Sequence, residues 1–124
     1  MSYNANLNTY TFERVEQLID KGFPCNIESY PIAMGNGELK KGTVVAFNSA
    51  GAVVEYDPDG EDPVNKPFGV LANNVDTDNQ DVAPVIVFGR LHRKAMLVKG
   101  EPISDELFAS LRREFRSLGI YIAD

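Results

Sequence analysis

One histidine, His92, and one cysteine, Cys25, are the chain's whole supply of imidazole and thiol. Between them they would have to furnish any general base or thiolate nucleophile of the usual kind. A Cys–His dyad needs the two groups at hydrogen-bond distance and a third group to orient the base. Nothing in the spacing of Cys25 and His92 arranges that. The serines lack a GxSxG elbow, so no one of them is singled out for a Ser-His-Asp triad. Neither GxxxxGK[ST] nor GxGxxG occurs, which removes the two common glycine-rich phosphate cradles. Carboxylates cluster in "DPDGEDP" (57–63) and "DTDNQD" (76–81). An EF-hand loop places Gly sixth and Glu twelfth; counted from Asp57 those places hold Asp62 and Phe68, and counted from Asp76 they hold Asp81 and Val87. Both stretches are turn formers, where solvent keeps carboxylate pKa values ordinary. The reading is therefore of a non-enzymatic chain with no catalytic residue, no cofactor and no metal site.

The elements that would position chemistry are mostly strands. "TFERVEQLIDKGFP" carries Phe12, Val15, Leu18 and Ile19 at helical spacing, with Thr11 as N-cap and Gly22 with Pro24 as a stop. The spacing predicts a short amphipathic helix over Phe12 to Lys21. Ile27, Pro31, Ile32 and Met34 then suggest an irregular edge strand, because proline removes a ladder donor. "GTVVAF", the turn "NSAG" and "AVVEY" read as a hairpin. "FGVLANNV" and "VIVFGRLHR" are further strands, and the unbroken "VIVF" predicts burial on both faces. "SDELFASLRREFRSLG" is the strongest helix, capped by Ser104 and closed by Gly119, with acids at its start and arginines at its end. Leu107, Leu111, Phe115 and Leu118 are its expected apolar face. "IYIAD" alternates as a closing strand.

Bulk properties set the remaining bounds. The chain has 124 residues, which suits one domain. Its 44% apolar and 24% charged content is that of a folded protein rather than a disordered one. The net charge of −6 lacks the clustered basic surface that nucleic-acid binding requires. No apolar run reaches the length of a membrane span, and "MSYNANLNTY" does not have the charge pattern of a signal peptide. Synthesis in a reducing cytoplasm, with no nucleic-acid and no membrane partner, is expected. Residues 1–11 read as a flexible N-terminal arm, and 12–124 as a single β-rich domain. The expected fold is a small, mainly β, clip- or barrel-like body with the C-terminal helix laid on its strands and a short N-terminal helix.

Four stretches occur in an order and spacing that resembles a known family: "GFPCNIESYPIAMGNGELKKGTVVAF", "PFGVLANNVDT", "VIVFGRLHRKAM" and "SDELFASLRREFRSLGIYIAD". The chain resembles the head decoration proteins of tailed bacteriophages, the family that includes the phage lambda decoration protein. The likeness covers roughly residues 22 to 124, through an "LKKGTV" strand entry, a "GVL…VD" segment, a "VIVFG" strand and a helix ending in "GIYI". It departs at the N-terminus, where the helix expected over Phe12 to Lys21 has no counterpart. The resemblance implies a non-enzymatic cement that sits as a homotrimer on the outer surface of the virion head. Its partner would be the major capsid protein of the expanded shell, which it holds against the pressure of packaged DNA. Within that reading the arm supplies the contact by adding a strand to a capsid sheet edge. Tyr3, Leu7, Tyr10 and Phe12 are its expected capsid-binding anchors. The alternatives are another virion component (tail, neck or head fibre), a trimeric dUTPase-like hydrolase, and a small-ligand or carbohydrate module. The second lacks a phosphate-binding Ser/Arg loop, and the third has no tryptophan to build on.

Overall fold

A computed structural model describes residues 18–20 and 22–123. It shows a mainly β protein with a helix near its C-terminal end packed on a sheet, as the strand patterns and the Ser104–Gly119 helix signals lead one to expect. The strands are β1 (Asn26–Pro31), β2 (Glu38–Leu39), β3 (Val44–Phe47), β4 (Val53–Glu55), β5 (Pro67–Leu71), β6 (Val75–Asp76), β7 (Val82–His92), β8 (Leu97–Val98), β9 (Glu101–Pro102) and β10 (Ile120–Ala123). The helix α1 spans Asp105–Leu118.

The main sheet runs in the order β1-β7-β5-β3-β4, with antiparallel neighbours throughout. β1 is an edge strand, which is where Pro31 can be tolerated. Just beyond it the sheet curls back on itself. Ile32 forms a parallel bridge with Val53 of β4, and the Ala33 N–H donates to Val53 O at 2.9 Å. The two edges thus meet at one point, and the body is barrel-like.

Consecutive strand residues serve two separate cores. Val45, Val53, Leu71, Ala83 and Val85 fill the inside of the curl with Ile32, Leu39 and Val75. Val44, Ala46, Val70 and Ile86 point the other way, beneath Phe108, Leu111 and Phe115 of α1. This is the two-sided burial that "VIVF" predicts, and it holds at Val85 and Ile86, both fully buried. Val87 is half-buried and Phe88 is 38% exposed, so the second half of the run lies at the rim.

Two glycines set the geometry. At Gly69 an added Cβ would come within 2.5 Å of Val85 Cγ1 and 2.8 Å of Ile86 O. Pro67 and Gly69 pair with adjacent residues of β3, so Phe68 is the extra residue of a bulge. The bulge turns Phe68 toward the inner core, where its ring stacks on Phe47 at 3.9 Å. Gly42 has φ +93 and an added Cβ would collide with Ala95 O. It lies where Gly42 N donates to Leu71 O and Leu97 N donates to Gly42 O, both at 2.9 Å.

The helix follows its end signals. Ser104 Oγ accepts from Leu107 N at 3.3 Å, Asp105 and Glu106 occupy the first turn, and Gly119 takes φ 95 after the last. Its expected apolar stripe needs one correction. Leu111 and Phe115 are fully buried, but Phe108 is their partner; Leu107 is half-buried and Leu118 is 47% exposed. Arg93 explains the choice. Its guanidinium lies 4.3 Å from the centre of the Phe108 ring and also binds Asp105 Oδ1 at 2.6 Å, so the helix is rolled toward Phe108.

The N-terminal helix also needs correction at its end. Leu18 to Asp20 is extended, not helical: Asp20 N donates to Arg90 O and His92 N to Leu18 O, both at 2.9 Å, with Ile19 bridged to Leu91. β7 is the reason. Its free edge here offers unpaired backbone groups, and pairing with them outweighs a marginal one-turn helix propensity. The rest of that expected helix lies outside the described residues, as does the arm over 1–11.

Two stability changes are expected. Phe115→Ala should lower stability by about 3–5 kcal/mol, read as a drop in the urea midpoint at unchanged slope. Gly42→Ala combines an unfavourable backbone angle with a backbone collision, and should cost at least about 1–3 kcal/mol. A parental melting curve for either variant would contradict the packing described.

Candidate interaction surfaces

The residues that could do chemistry are not brought together. Cys25 is exposed and lies beside Gly89, whose added Cβ would sit 3.5 Å from its Sγ. His92 is three residues further along β7, about 10 Å away at strand rise. Partial burial pushes the Cys25 thiol above its ordinary pKa, the reverse of what an activated nucleophile needs. Among the described residues no group of three or more His, Cys, Asp or Glu side chains is placed to hold a metal ion. The Asp57 and Asp76 carboxylates fold their own loops instead: Asp57 Oδ1 accepts from Asp59 N at 3.0 Å, and Asp76 Oδ1 accepts from Asp78 N at 3.1 Å. No described helix is long and apolar enough to cross a membrane.

Tyr3, Leu7, Tyr10 and Phe12, the four anchors expected from the sequence, lie outside the described residues. Within the described residues two surfaces stand out. The first is β1, whose six residues are all exposed except the half-buried Tyr30. It is held by its ladder to β7 and leaves its other edge unpaired along Asn26–Pro31. Tyr30 adds an edge-to-face contact with Phe68 and with Phe47, at 5.3 and 5.7 Å. Its hydroxyl donates to Glu28 Oε1 at 2.7 Å, and that bond, with lesser contributions from burial and the Glu28 charge, raises the phenol's pKa.

The second surface lies where α1, β7 and β10 meet. Phe23, Arg90, Arg112, Arg116, Tyr121 and Ile122 line an open cavity of about 360 Å³. Phe23 stacks on Phe88 at 5.9 Å and meets Tyr121 edge-on at 5.5 Å, so the aromatic wall is pre-assembled. Arg90 reaches Asp20 Oδ2 at 3.5 Å, an exposed pair of small energetic weight. Arg112 and Arg116 have no carboxylate partner among the described residues. They sit four apart on α1, where like charges repel. In the sequence these arginines have only the signature of complements to the helix dipole. The missing signal was Phe23, which comes from a distant part of the chain and cannot be placed by periodicity.

The chain matches no family model, and no curated protein matches it significantly.

The Cys25 thiol gives a direct check on this part of the surface. Its alkylation by iodoacetamide should accelerate with pH to a midpoint above that of free cysteine. A midpoint at or below the free value would mean that the thiol is not desolvated beside Gly89.

Proposed function

We propose that this chain is a decoration, or cement, protein of a tailed-phage head. In this reading it binds the outside of the expanded shell as a homotrimer and stabilises the shell against packaged DNA. Its partner is the major capsid protein, and its role is non-catalytic. The observation that carries the reading is how the four family-like stretches sit together. The "LKKGTV" entry pairs with the "GVL…VD" segment through β2–β6 and β3–β5. The "GVL" strand pairs with "VIVFG" through β5–β7, and "VIVFG" with the "GIYI" strand through β7–β10. Segments that resemble one family in order are thus direct neighbours within one unit.

The physical character of the surface supports the same reading. A cement needs area and strand edges more than a catalytic cleft, and β1 offers a largely exposed edge that is unpaired among the described residues. A net charge of −6 disfavours contact with packaged DNA and suits the outer side of a shell. The segment 1–11 is the proposed arm, adding main-chain hydrogen bonds to a capsid strand through the anchors Tyr3, Leu7 and Tyr10, with Phe12 as a fourth anchor at its junction with the body. Three arms on one trimer raise the effective concentration of the second and third contacts, so weak single sites suffice.

Deleting residues 1–10 tests this. The truncated protein should melt within about 2 °C of the parent, under about 0.5 kcal/mol, yet lose most of its co-sedimentation with expanded heads. Undiminished binding would move the contact to the β body. Failure of the intact protein to sediment with mature heads would remove the proposal altogether.

A further inference from the structure

The cavity between α1, β7 and β10 carries three guanidiniums against one carboxylate, in a chain whose overall charge is −6. Acids outnumber bases by 10 to 4 over residues 1–64, whereas residues 65–124 hold 8 of each. The densest acidic stretch is the loop after β4, "DPDGED" at 57–62. Asp57 is paired with Lys99 and Asp62 with Lys66. Asp59 and Glu61 are exposed and have no cationic partner among the described residues.

This loop and the arginine cavity lie on different parts of the body. The loop follows β4, three places from β7 in the sheet order, whereas the cavity is built where β7 and β10 meet α1. The two charged surfaces of one molecule are therefore separate patches.

We infer that the arginine cavity is the docking site for the 57–62 loop of a second copy of this chain. Asp59 and Glu61 of that copy would meet Arg112 and Arg116, with Pro58 lying against Phe23 and Tyr121. The loop is already set for this. Gly60 N donates to Asp57 O at 3.1 Å, Val64 N to Glu61 O at 2.9 Å, and Asp57 N to Val64 O at 3.0 Å. Little conformational freedom is lost on docking. A cavity in one patch and its ligand in another make a head-to-tail contact, which closes into a ring or runs on as a filament. Closure at three copies rests on the proposed function; the contact itself does not.

Charge exchange tests the contact. Sedimentation velocity at low salt should show the parent self-associating. Arg112→Glu with Arg116→Glu should weaken association by on the order of tenfold or more, as should Asp59→Lys with Glu61→Lys. The chain carrying all four changes keeps the parental net charge and should associate again, because the pair is restored in reverse. A milder pair, Arg112→Gln with Arg116→Gln, should also weaken association and guards against misfolding of the reversed helix. Three outcomes overturn the inference: a parent that stays monomeric, reversals without effect, and a four-fold variant no better than the pairs. Loss of head binding with self-association unchanged would overturn it too, and assign the cavity to the shell. Head co-sedimentation of the parent reports on the proposed function separately, so either idea can fail alone.

Discussion

The structure depends on one sheet being buried on both sides by two cores that do not mix. Val44 and Val45, neighbours on β3, belong to different cores, as do Val85 and Ile86 on β7. A strand so placed cannot slip by one residue without exchanging the two sets. Each side chain must suit its own layer: aliphatic inside the curl, with Phe47 and Phe68 stacked at its margin, and accommodating Phe108 and Phe115 outside it. Gly69 gives the sheet room for this, since the bulge beside it puts Phe68 on the inner face without disturbing Val70 on the outer one.

The same constraint explains which parts of the fold were legible in the sequence. Strand runs bounded by Gly and Pro, and a helix with Ser104 and Gly119 at its ends, are local signals, and the structure follows them. The first half of the "VIVF" run was legible for the same reason, because burial on both faces erases alternation, whereas Val87 and Phe88 lie at the rim. The helix stripe was misjudged at one end because periodicity alone does not distinguish Leu118 from Phe108. Arg93, from the turn after β7, decides between them by stacking on the phenylalanine. Leu18 to Asp20 was misread for a similar reason. Helical spacing is a weak preference, and an open strand edge from seventy residues further along overrides it.

The candidate surfaces were less legible than the fold. Phe23, Arg90 and Arg116 come from three distant segments, and a strand, a helix and a loop must be assembled before they share a cavity. Charge is uneven along the chain, acidic over residues 1–64 and balanced over 65–124, and the fold gathers it into an acidic loop after β4 and an arginine cavity where β7 and β10 meet α1.

The last four residues of β7 are gripped from both sides. Residues 18–20 run antiparallel along one edge, and Ile120–Ala123 runs parallel along the other, so Ile19 and Ile122 flank Leu91. Two strand spacings, about 10 Å, separate those outer strands. Tension entering through the chain before Leu18 would pass straight into β7 and one strand further into β10, as shear along hydrogen-bond ladders. That load path runs through the helix-side core, because Leu18, Leu91, Ile120 and Ile122 are buried within it. A pull on the chain there would therefore be resisted by ladder hydrogen bonds and by the burial of Leu18 together.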